Sequence, residues 1–306
     1  MAHVSLSGPP FAPALQRRDS RFEGLVHGGD FRHRLDVSGR WKNWGETELK
    51  ALSRTQIGLA GEYRAGVDLS GHSLDLNRIP RHVGCVMDGN GRWAEQRGMA
   101  RTEGHEQGEH ALFDVIEGAL ELGIEWLTVY AFSTENWNRP DDEVRFLLNF
   151  NRTILRRRCD ELNEMGVRIR FIGRRDWRVP KGLIKEMDEA IELTEHNTRM
   201  TLAVAFNYGG RAEIVDAVKR IAAQRIPSRM INERTIARHL YDQEMPEPDL
   251  IIRTSGEYRI SNFLLWELAY SELVFSDVLW PDFTRHDLFA AIAEYQHRHR
   301  RFGRVR

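Results

Sequence analysis

From residue 80 onward, short apolar runs alternate with segments whose apolar side chains recur at helical spacing. Residues 82–88 have the pattern of a buried strand, and residues 106–122 that of a helix, which Gly123 ends. Further strands are predicted at residues 126–132, 167–173, 200–208, 250–253 and 273–276. Further helices are predicted at residues 141–165, 182–195, 212–224, 232–241 and 285–300. Strands separated by helices need crossover connections, so we expect an α/β fold with a single mostly parallel β-sheet of about six strands, flanked by helices.

Residues 1–79 differ from the rest because no apolar period persists in them. Gly, Ser, Arg and His are common, and Trp41 and Trp44 are the only large anchors in their middle. Such a segment buries little apolar surface. We therefore expect a largely flexible N-terminal extension at residues 1–79, with one short helix at 46–53, and a folded domain at residues 80–306. An arm that contacts an oligomeric partner remains the alternative for the extension.

Composition and charge exclude several classes of protein. The net charge of −1 provides no global attraction to nucleic acid or to an anionic membrane, so anion binding must come from local clusters of arginine and lysine. The two cysteines have no zinc spacing, which fits a reducing compartment. Residues 1–20 lack the pattern of a signal peptide, and no stretch reaches the roughly 18 apolar residues of a membrane span. We expect a cytoplasmic protein that meets any lipid from the water side, with a peripheral position at the membrane as the alternative.

Polar clusters follow three of the predicted strands. They begin at Asp88, at Ser133 and at Thr254. Because ligands of open α/β sheets bind beyond the carboxyl ends of the strands, we expect these clusters to converge on one rim.

The chemistry of the clusters is that of a diphosphate site. Gly89 and Gly91 allow a ligand to approach the backbone, and the first N–H groups of the following helix favour an anion. Arginine side chains can grip phosphate oxygens; the candidates are Arg92, Arg101, Arg139, Arg253 and Arg259. Asp88 and Glu272 carry oxygen ligands suited to Mg²⁺, which takes one or two carboxylates plus substrate phosphate. Taken singly, the same residues fit a tight turn, a helix cap, core aromatics and surface ion pairs.

Four segments together resemble the cis-prenyltransferase family, in particular the undecaprenyl and decaprenyl diphosphate synthases. The first segment, Met-Asp-Gly-Asn-Gly-Arg-Trp-Ala, begins at Met87, and the second, Ala-Phe-Ser-Thr-Glu-Asn-Trp-Asn-Arg-Pro, begins at Ala131. The third is Asn-Tyr-Gly-Gly-Arg at residues 207–211, and the fourth covers residues 249–272. They occur in the family's order over residues 80–303, and the chain looks most like the actinobacterial decaprenyl enzymes.

The resemblance implies a role for each matching position. Asp88 would hold Mg²⁺ on the diphosphate and be catalytic, and Glu272 would be a second metal ligand that reaches the site from the partner subunit or nearby. The allylic diphosphate would be held by Gly89, Asn90, Gly91, Arg92, Arg101 and His105, with Trp93 beside it. The substrate site would be lined by Ser133, Thr134, Glu135, Trp137 and Arg139. Isopentenyl diphosphate would be bound by Arg253, Arg259, Ile260 and Ser261. Asn136 matches the family's proton acceptor, although a neutral amide is a poor base, so positioning of substrate or water is the alternative.

The implied activity is condensation of isopentenyl diphosphate with an allylic diphosphate, farnesyl or related, by a homodimer. The product would be a polyprenyl diphosphate of decaprenyl to undecaprenyl length that is handed to the membrane for cell-wall lipid-carrier synthesis. The growing chain needs an apolar tunnel, for which two groups of residues are candidates: Val144, Phe146, Leu147, Leu148, Phe150 and Ile154 on a helix, and Leu202, Val204 and Phe206 on a strand. An Arg-x-Gly element at residues 301–303 resembles one thought to reach a neighbouring active site.

Four other functions are alternatives to this one. A short-chain enzyme of the same family is the main alternative, because tunnel volume sets chain length. A trans-type synthase would need an Asp-Asp-x-x-Asp motif, but Glu143, Val144 and Arg145 follow Asp141 and Asp142. A non-catalytic partner subunit would lack the acidic site residue, whereas Asp88 is present. A nucleotide-binding oxidoreductase would need a Gly-x-Gly-x-x-Gly turn after a strand, which is absent.

Overall fold

The protein is described here by a computed structural model, which covers residues 67–69 and 72–298 and, for side chains, residues 74–298. The short helix predicted at residues 46–53 and the Arg-x-Gly element at 301–303 lie outside the described residues.

Six strands form one sheet in the spatial order β5-β6-β4-β3-β7-β8, and every neighbouring pair is parallel. The strands are β3 (His82–Val86), β4 (Trp126–Ser133), β5 (Val167–Ile172), β6 (Met200–Tyr208), β7 (Leu250–Arg253) and β8 (Glu272–Phe275). The predicted mostly parallel sheet of about six strands is confirmed.

Side chains alternate between two apolar layers along each strand. Cys85 of β3 and Ile252 of β7 belong to a core that includes helical residues such as Ile116, whereas Val86 and Ile251 belong to a second core with Phe263. Both faces of the sheet are therefore covered. This explains why the inner strands β3, β4, β6 and β7 are almost continuously apolar rather than alternating with polar residues.

Helices connect the strands, and their order sets which residues reach the carboxyl edge. They are α1 (Asn90–Gln96), α2 (Arg101–Leu122), α3 (Asp141–Glu164), α4 (Lys181–Thr194), α5 (Gly210–Ala223), α6 (Glu233–Ala237) and α7 (Arg285–His297). Two of them differ from the predicted bounds by four or more residues at one end. α2 begins five residues before the predicted start, where the Glu103 carboxylate accepts a hydrogen bond from the Ala100 N–H. α6 ends early, and Arg220 donates instead to the carbonyls of His239 and Leu240.

The folded part of the chain includes residues before the boundary predicted at Pro80. A two-stranded antiparallel pair, β1 (Val67–Leu69) and β2 (His72–Leu74), precedes a 3-10 turn at Leu76–Arg78. Leu74 is fully buried, and the Asp75 backbone exchanges hydrogen bonds with the Gln296 side chain of α7. No helix within the described ranges is long and apolar enough to cross a membrane.

Candidate functional site

The carboxyl ends of the adjacent strands β4, β3 and β7 open onto one cavity of about 680 Å³. Fourteen of the predicted site residues line it: Asp88, Gly89, Asn90, Gly91, Arg92, Arg101, His105, Ser133, Glu135, Asn136, Arg139, Arg253, Arg259 and Ser261. Their positions follow from parallel pairing, because it brings all the carboxyl ends to the same edge.

Arg253 and Asp88 form the centre of the polar end. The guanidinium of Arg253, which is 3% exposed, donates to Asp88 Oδ2 at 2.7 Å and to Ser261 Oγ at 2.7 Å. The Asp88 backbone is held by Thr254, whose hydroxyl accepts from the Asp88 N–H at 2.9 Å and donates to its carbonyl at 2.6 Å. The Asp88 carboxylate therefore has a defined position at the cavity, and about a third of the side chain remains exposed.

The turn after Asp88 packs so closely that its glycines cannot be replaced without movement. Gly89 has a φ of 111°, a left-handed conformation that favours glycine. A β-carbon on Gly91 would lie 2.7 Å from the Arg101 guanidinium. On α2, a β-carbon on Gly104 would lie 2.0 Å from the carbonyl oxygen of Asn90. Close packing of α1 against α2 thus brings Arg101 directly over the turn.

Arg92 on α1 and Arg259 in the loop after β7 share the Glu257 carboxylate. Arg92 donates to the carbonyl and the hydroxyl of Ser255 at 3.0 and 2.5 Å, and its guanidinium lies 3.3 Å from Glu257. Glu257 also pairs with Arg259. Positive φ angles at Ser255, Ser261 and Asn262 mark tight turns in this loop. Such conformations at non-glycine residues cost energy and cluster at ligand sites.

The N-terminal ends of α2 and α3 bring two arginines and a glutamate together at the cavity. Glu143 accepts from Arg139 at 2.6 Å and lies 3.9 Å from Arg101, so one carboxylate lies between two guanidinium groups. His105 packs against Phe146 and Phe150. Burial, reinforced by Arg139, lowers the pKa of His105 to about 4, and the imidazole is neutral near pH 7.

Asn136 forms part of a local cap rather than a free base. Its Oδ1 accepts from the Ser133 N–H at 2.8 Å, and its own N–H donates to Ser133 Oγ at 3.2 Å. The side-chain oxygen is therefore already engaged, and the amide NH₂ is the part available to a ligand. This geometry favours a positioning role over proton abstraction.

Four predicted site residues lie near the cavity but are not among its lining residues: Trp93, Thr134, Trp137 and Ile260. Trp93 is buried, and its indole N–H donates to Asp282 at 2.7 Å while Arg97 stacks on the ring. Trp137 donates to Asn207 Oδ1 at 2.7 Å. Both indole rings therefore lie behind the residues that line the cavity and do not face it.

Glu272 does not lie with Asp88 in this chain. It is the first residue of β8 and pairs with Leu250 of β7. Leu250 lies three residues before Arg253, which is at the carboxyl edge of the sheet. That separation is about 10 Å along the strand. Its carboxylate accepts from Arg298 at 3.0 Å. Within one protomer, Glu272 thus belongs to the opposite edge of the sheet.

Three lining or supporting residues were not singled out from the sequence. Asn262 lines the cavity and donates to Glu135 at 2.8 Å, which joins two of the three clusters. The sequence signal that could have pointed to Asn262 is its position next to Ser261, which was predicted to bind substrate. Tyr130 also lines the cavity and stacks on Phe263, and it stands close to the end of β4. Glu143 had no sequence signal, because its role depends on where α3 begins.

The cavity continues from the polar end into an apolar interior. Its walls come from α2, α3, α4 and strands of the sheet, and include Leu112, Ile116, Leu147, Phe150, Ile154, Leu162, Leu183, Met187, Ile169, Leu202, Val204 and Phe206. Of the predicted tunnel residues, Val144, Phe146 and Leu148 are not lining residues; Val144 and Leu148 are buried in the core between α3 and α4.

The polar end of the cavity carries more cations than carboxylates, as expected of an anion site. Five arginines line its polar end, and Asp88 lies among them. Within residues 74–298, no group of three or more His, Cys, Asp or Glu residues could hold a metal without further ligands. Mg²⁺ commonly binds through one or two carboxylates together with substrate phosphates, so Asp88 fits that pattern.

Comparison with known proteins agrees with this geometry. The sequence profile of the putative undecaprenyl diphosphate synthase family matches residues 86–303. A trans,polycis-polyprenyl diphosphate synthase ((2Z,6E)-farnesyl diphosphate specific) of Thermobifida fusca is 58% identical over 234 residues, covering 75% of this chain and 83% of that protein. The decaprenyl diphosphate synthase of Mycolicibacterium smegmatis is 53% identical over 236 residues, covering 76% and 80%.

Two solved structures share the fold. Lavandulyl diphosphate synthase from Lavandula x intermedia, in complex with dimethylallyl diphosphate, superposes with a TM-score of 0.72 at 37% identity and covers 74% of this chain and 100% of that chain. A probable undecaprenyl diphosphate synthase from Campylobacter jejuni gives a TM-score of 0.63 at 31% identity, with coverage of 74% and 99%.

Proposed function

Because the chain belongs to the undecaprenyl diphosphate synthase family, we propose that it is a cis-prenyltransferase that adds isopentenyl diphosphate units to an allylic diphosphate. The observation that carries this proposal is the combination of five arginines around Asp88 with an apolar interior directly behind them. A diphosphate fits the charged end, and a hydrocarbon chain fits the other. The product is a long-chain polyprenyl diphosphate, of decaprenyl to undecaprenyl length, for cell-wall lipid-carrier synthesis.

Two arginine groups suit two diphosphates. Arg92, Arg101 and Arg139, with the Gly89–Gly91 turn, would hold the allylic diphosphate. Arg253, Arg259 and Ser261 would hold isopentenyl diphosphate beside it, where Asn262 ties the two halves together through Glu135. Holding both substrates in this way supplies proximity and orientation, which account for much of the catalysis in bimolecular reactions.

The condensation needs stabilisation of a leaving diphosphate. The double bond of isopentenyl diphosphate attacks the allylic carbon, the carbon–oxygen bond to diphosphate breaks, and a proton is lost to form the new cis double bond. The arginines neutralise the charge that develops on the leaving group. Asp88 would hold Mg²⁺, which supplies further charge neutralisation when bound. Because Asn136 Oδ1 is engaged with Ser133, an oxygen of the released diphosphate is the better proton acceptor.

A long product is favoured by the extent of the apolar walls. Lining residues on α3 run from Leu147 to Leu162, which corresponds to about 22 Å of helix. A short-chain product remains the alternative, and product sizing distinguishes the two. We also propose a cytoplasmic homodimer in which Glu272 serves the partner's site, and a lipid product that passes to the membrane.

The direct test is incubation with labelled isopentenyl diphosphate and farnesyl diphosphate, with Mg²⁺ or with a chelator, followed by sizing of the products. We expect Mg²⁺-dependent incorporation into long chains. Asp88→Ala should lower turnover at least about 100-fold, because it removes a group that organises the charged end. Asp160→Ala, at an exposed position of α3, is the matched control and should retain activity.

Three results would contradict parts of this proposal. Absence of incorporation with every allylic primer would exclude the transferase activity. Products of farnesyl length alone would exclude the long-chain assignment but not the family. Turnover that survives in Asp88→Ala, with an unchanged melting temperature, would exclude the metal role of Asp88.

A further inference from the structure

A buried ion cluster joins α2 to α3 along the wall of the cavity. The Glu109 side chain of α2 is 2% exposed, and its carboxylate accepts hydrogen bonds from Arg157 and from Arg158 Nε, the latter at 2.8 Å. Arg158 also donates to Glu161 at 2.6 Å, and its guanidinium lies 4.4 Å from the centre of the Phe113 ring. Arg158 therefore reaches from α3 to two residues of α2 that lie one helical turn apart.

The cluster belongs to the apolar interior of the cavity and not to its polar end. Glu109 and Arg158 both line the cavity, and Leu112 and Ile154, the lining residues next to them on α2 and α3, are apolar. Glu109 follows Arg101 of the polar end by eight residues on α2, which corresponds to about 12 Å along the helix. The ion pair thus lies where the hydrocarbon of a prenyl substrate passes, beyond its diphosphate.

Stability alone does not account for a charged pair at this position. Taking two charges out of water has a large cost, and replacing a buried ion pair by apolar residues of similar volume is often neutral or stabilising. Apolar side chains would also match the rest of the interior walls. The pair therefore provides something that two apolar side chains would not.

An apolar cavity of about 680 Å³ favours movement of its own walls into the space. Protein interiors contain few large voids, because a cavity costs free energy and neighbouring side chains relax into it where they can. A charged side chain resists this movement, since turning into the apolar interior would separate it from its partner and from water. The attraction between Glu109 and Arg158 consequently keeps both side chains within the wall.

We propose that Glu109 and Arg158 determine product length: their ion pair holds both side chains in the wall between α2 and α3 and keeps the cavity beyond them open to the growing chain. This inference rests on the proposed function, because it concerns the growth of a prenyl chain. Flexible apolar side chains at the same two positions would turn inward and shorten the space that the chain can fill.

The test is the double variant Glu109→Leu/Arg158→Met, which removes both charges and so leaves neither partner unpaired. Its unfolding free energy should equal or exceed that of the wild type. Its rate of first condensation should be unchanged, and sizing should show products shorter by at least one isoprene unit. The matched control is Glu186→Leu/Arg152→Met. Glu186 of α4 accepts from Arg152 and Arg156 of α3, and neither residue of this control pair lines the cavity, so its products should keep the wild-type length.

A second readout measures the open length of the cavity without any prenyl transfer. Saturated alkyl diphosphates, from decyl to eicosyl, are unreactive because they have no allylic bond, and their binding is measured by calorimetry. Each buried methylene should lower Kd about 4-fold. In Glu109→Leu/Arg158→Met this gain should stop at a shorter alkyl chain than in the wild type and in the control variant.

The outcomes separate this proposal from the proposed function. Wild-type product length and wild-type dependence of Kd on alkyl length in Glu109→Leu/Arg158→Met would overturn it. A double variant that does not fold would assign the pair to stability and would also overturn it, as would equal shortening in the control variant. Absence of prenyl transfer by the wild type would contradict the proposed function alone, and the alkyl diphosphates would then still decide whether the pair limits the cavity.

Discussion

At the scale of single residues, the site depends on a buried arginine and the carboxylate that pairs with it. Arg253 is almost completely buried, and its guanidinium donates to the Asp88 carboxylate, the Ser261 hydroxyl and the Arg259 carbonyl. Breaking a buried ion pair by removing one partner leaves an uncompensated charge. The Asp88–Arg253 pair thus holds the two strand ends together as well as serving the ligand.

Asn136 gives a prediction that separates a base from a positioning group. Asn136→Asp keeps an oxygen that can accept from the Ser133 N–H but replaces the NH₂ donor by a stronger base. If the donor positions substrate, kcat should fall about 10- to 100-fold with little change in the cap. The pH profile of kcat and the melting temperature are the measurements. Equal or higher kcat in Asn136→Asp would instead support proton abstraction at this residue.

At the scale of elements, the approach of α1 to α2 determines where Arg101 stands. Gly104 and Gly108 face the Asn90 backbone and side chain across this contact, so the helices meet without intervening β-carbons. The turn after Asp88 and the first turns of α2 are consequently one unit, and neither can move without the other.

Gly104→Ala should disturb this unit. The added β-carbon would meet the Asn90 carbonyl oxygen at 2.0 Å, and backbone cannot yield as a side chain can. We expect a loss of about 1–3 kcal/mol in unfolding free energy and weaker binding of the allylic substrate. Denaturant unfolding and KM for that substrate are the measurements.

The control is Gly182→Ala in the first turn of α4. Its β-carbon would meet only the Arg152 guanidinium, at 3.3 Å, and alanine favours helix by up to about 1 kcal/mol. Unfolding free energy and KM should be unchanged or slightly improved. Equal effects of the two substitutions on unfolding free energy and KM would show that the α1–α2 contact constrains the protein no more than an exposed helix position does.

At the scale of the whole molecule, two buried carboxyl groups, Glu213 and Glu267, make the stability of the fold depend on pH. They lie on the face of the sheet opposite the substrate cavity. Burial, and then the neighbouring Glu213 carboxyl, raise the pKa of Glu267 from 4.5 to about 9. Burial also raises the pKa of Glu213, which accepts from the Tyr208 hydroxyl and from the Tyr241 N–H. The folded protein therefore holds a proton at Glu267 that the unfolded chain releases.

The sign of the effect follows from that extra proton. Between pH 4.5 and about 9 the folded state binds more protons at Glu267 than the unfolded state, so the unfolding free energy falls as pH rises. Glu267→Gln should remove at least about 1 kcal/mol of this fall between pH 6 and 8. Urea unfolding across that range is the measurement, with Glu189→Gln on α4 as an exposed control. An identical slope in Glu267→Gln and wild type would contradict the raised pKa.

The proposed dimer makes a prediction about shared sites. Asp88→Asn and Glu272→Gln should each lower turnover, the second about 10- to 100-fold if it is a ligand contributed to the metal site. In a dimer that mixes the two variants, one site would combine both changes and the other would be intact. An equal mixture should therefore recover roughly a quarter of wild-type activity. No recovery in verified mixed dimers would exclude a contribution of Glu272 from the partner subunit.

Local patterns predicted much of the architecture because they are local in origin. The apolar runs of β3, β4 and β6 and the helical periods of α2 and α3 follow from burial on the two faces of a sheet. Helix ends were less predictable. α2 begins where the Glu103 side chain caps it, and α6 ends just before two residues whose carbonyls accept hydrogen bonds from Arg220, so both ends depend on side-chain partners.

The amino-acid sequence by itself determined the fold class, the strand ends that carry polar clusters, and the family, since short motifs in a set order suffice for these. Tertiary structure alone decided which residues face the cavity. It placed the Trp93 indole against Asp282, engaged Asn136 Oδ1 with Ser133, set Glu272 at the opposite edge and brought Asn262 and Glu143 into the site. The physical reason is that motif membership constrains residue type and backbone position, whereas side-chain direction and pairing depend on neighbours distant in the chain.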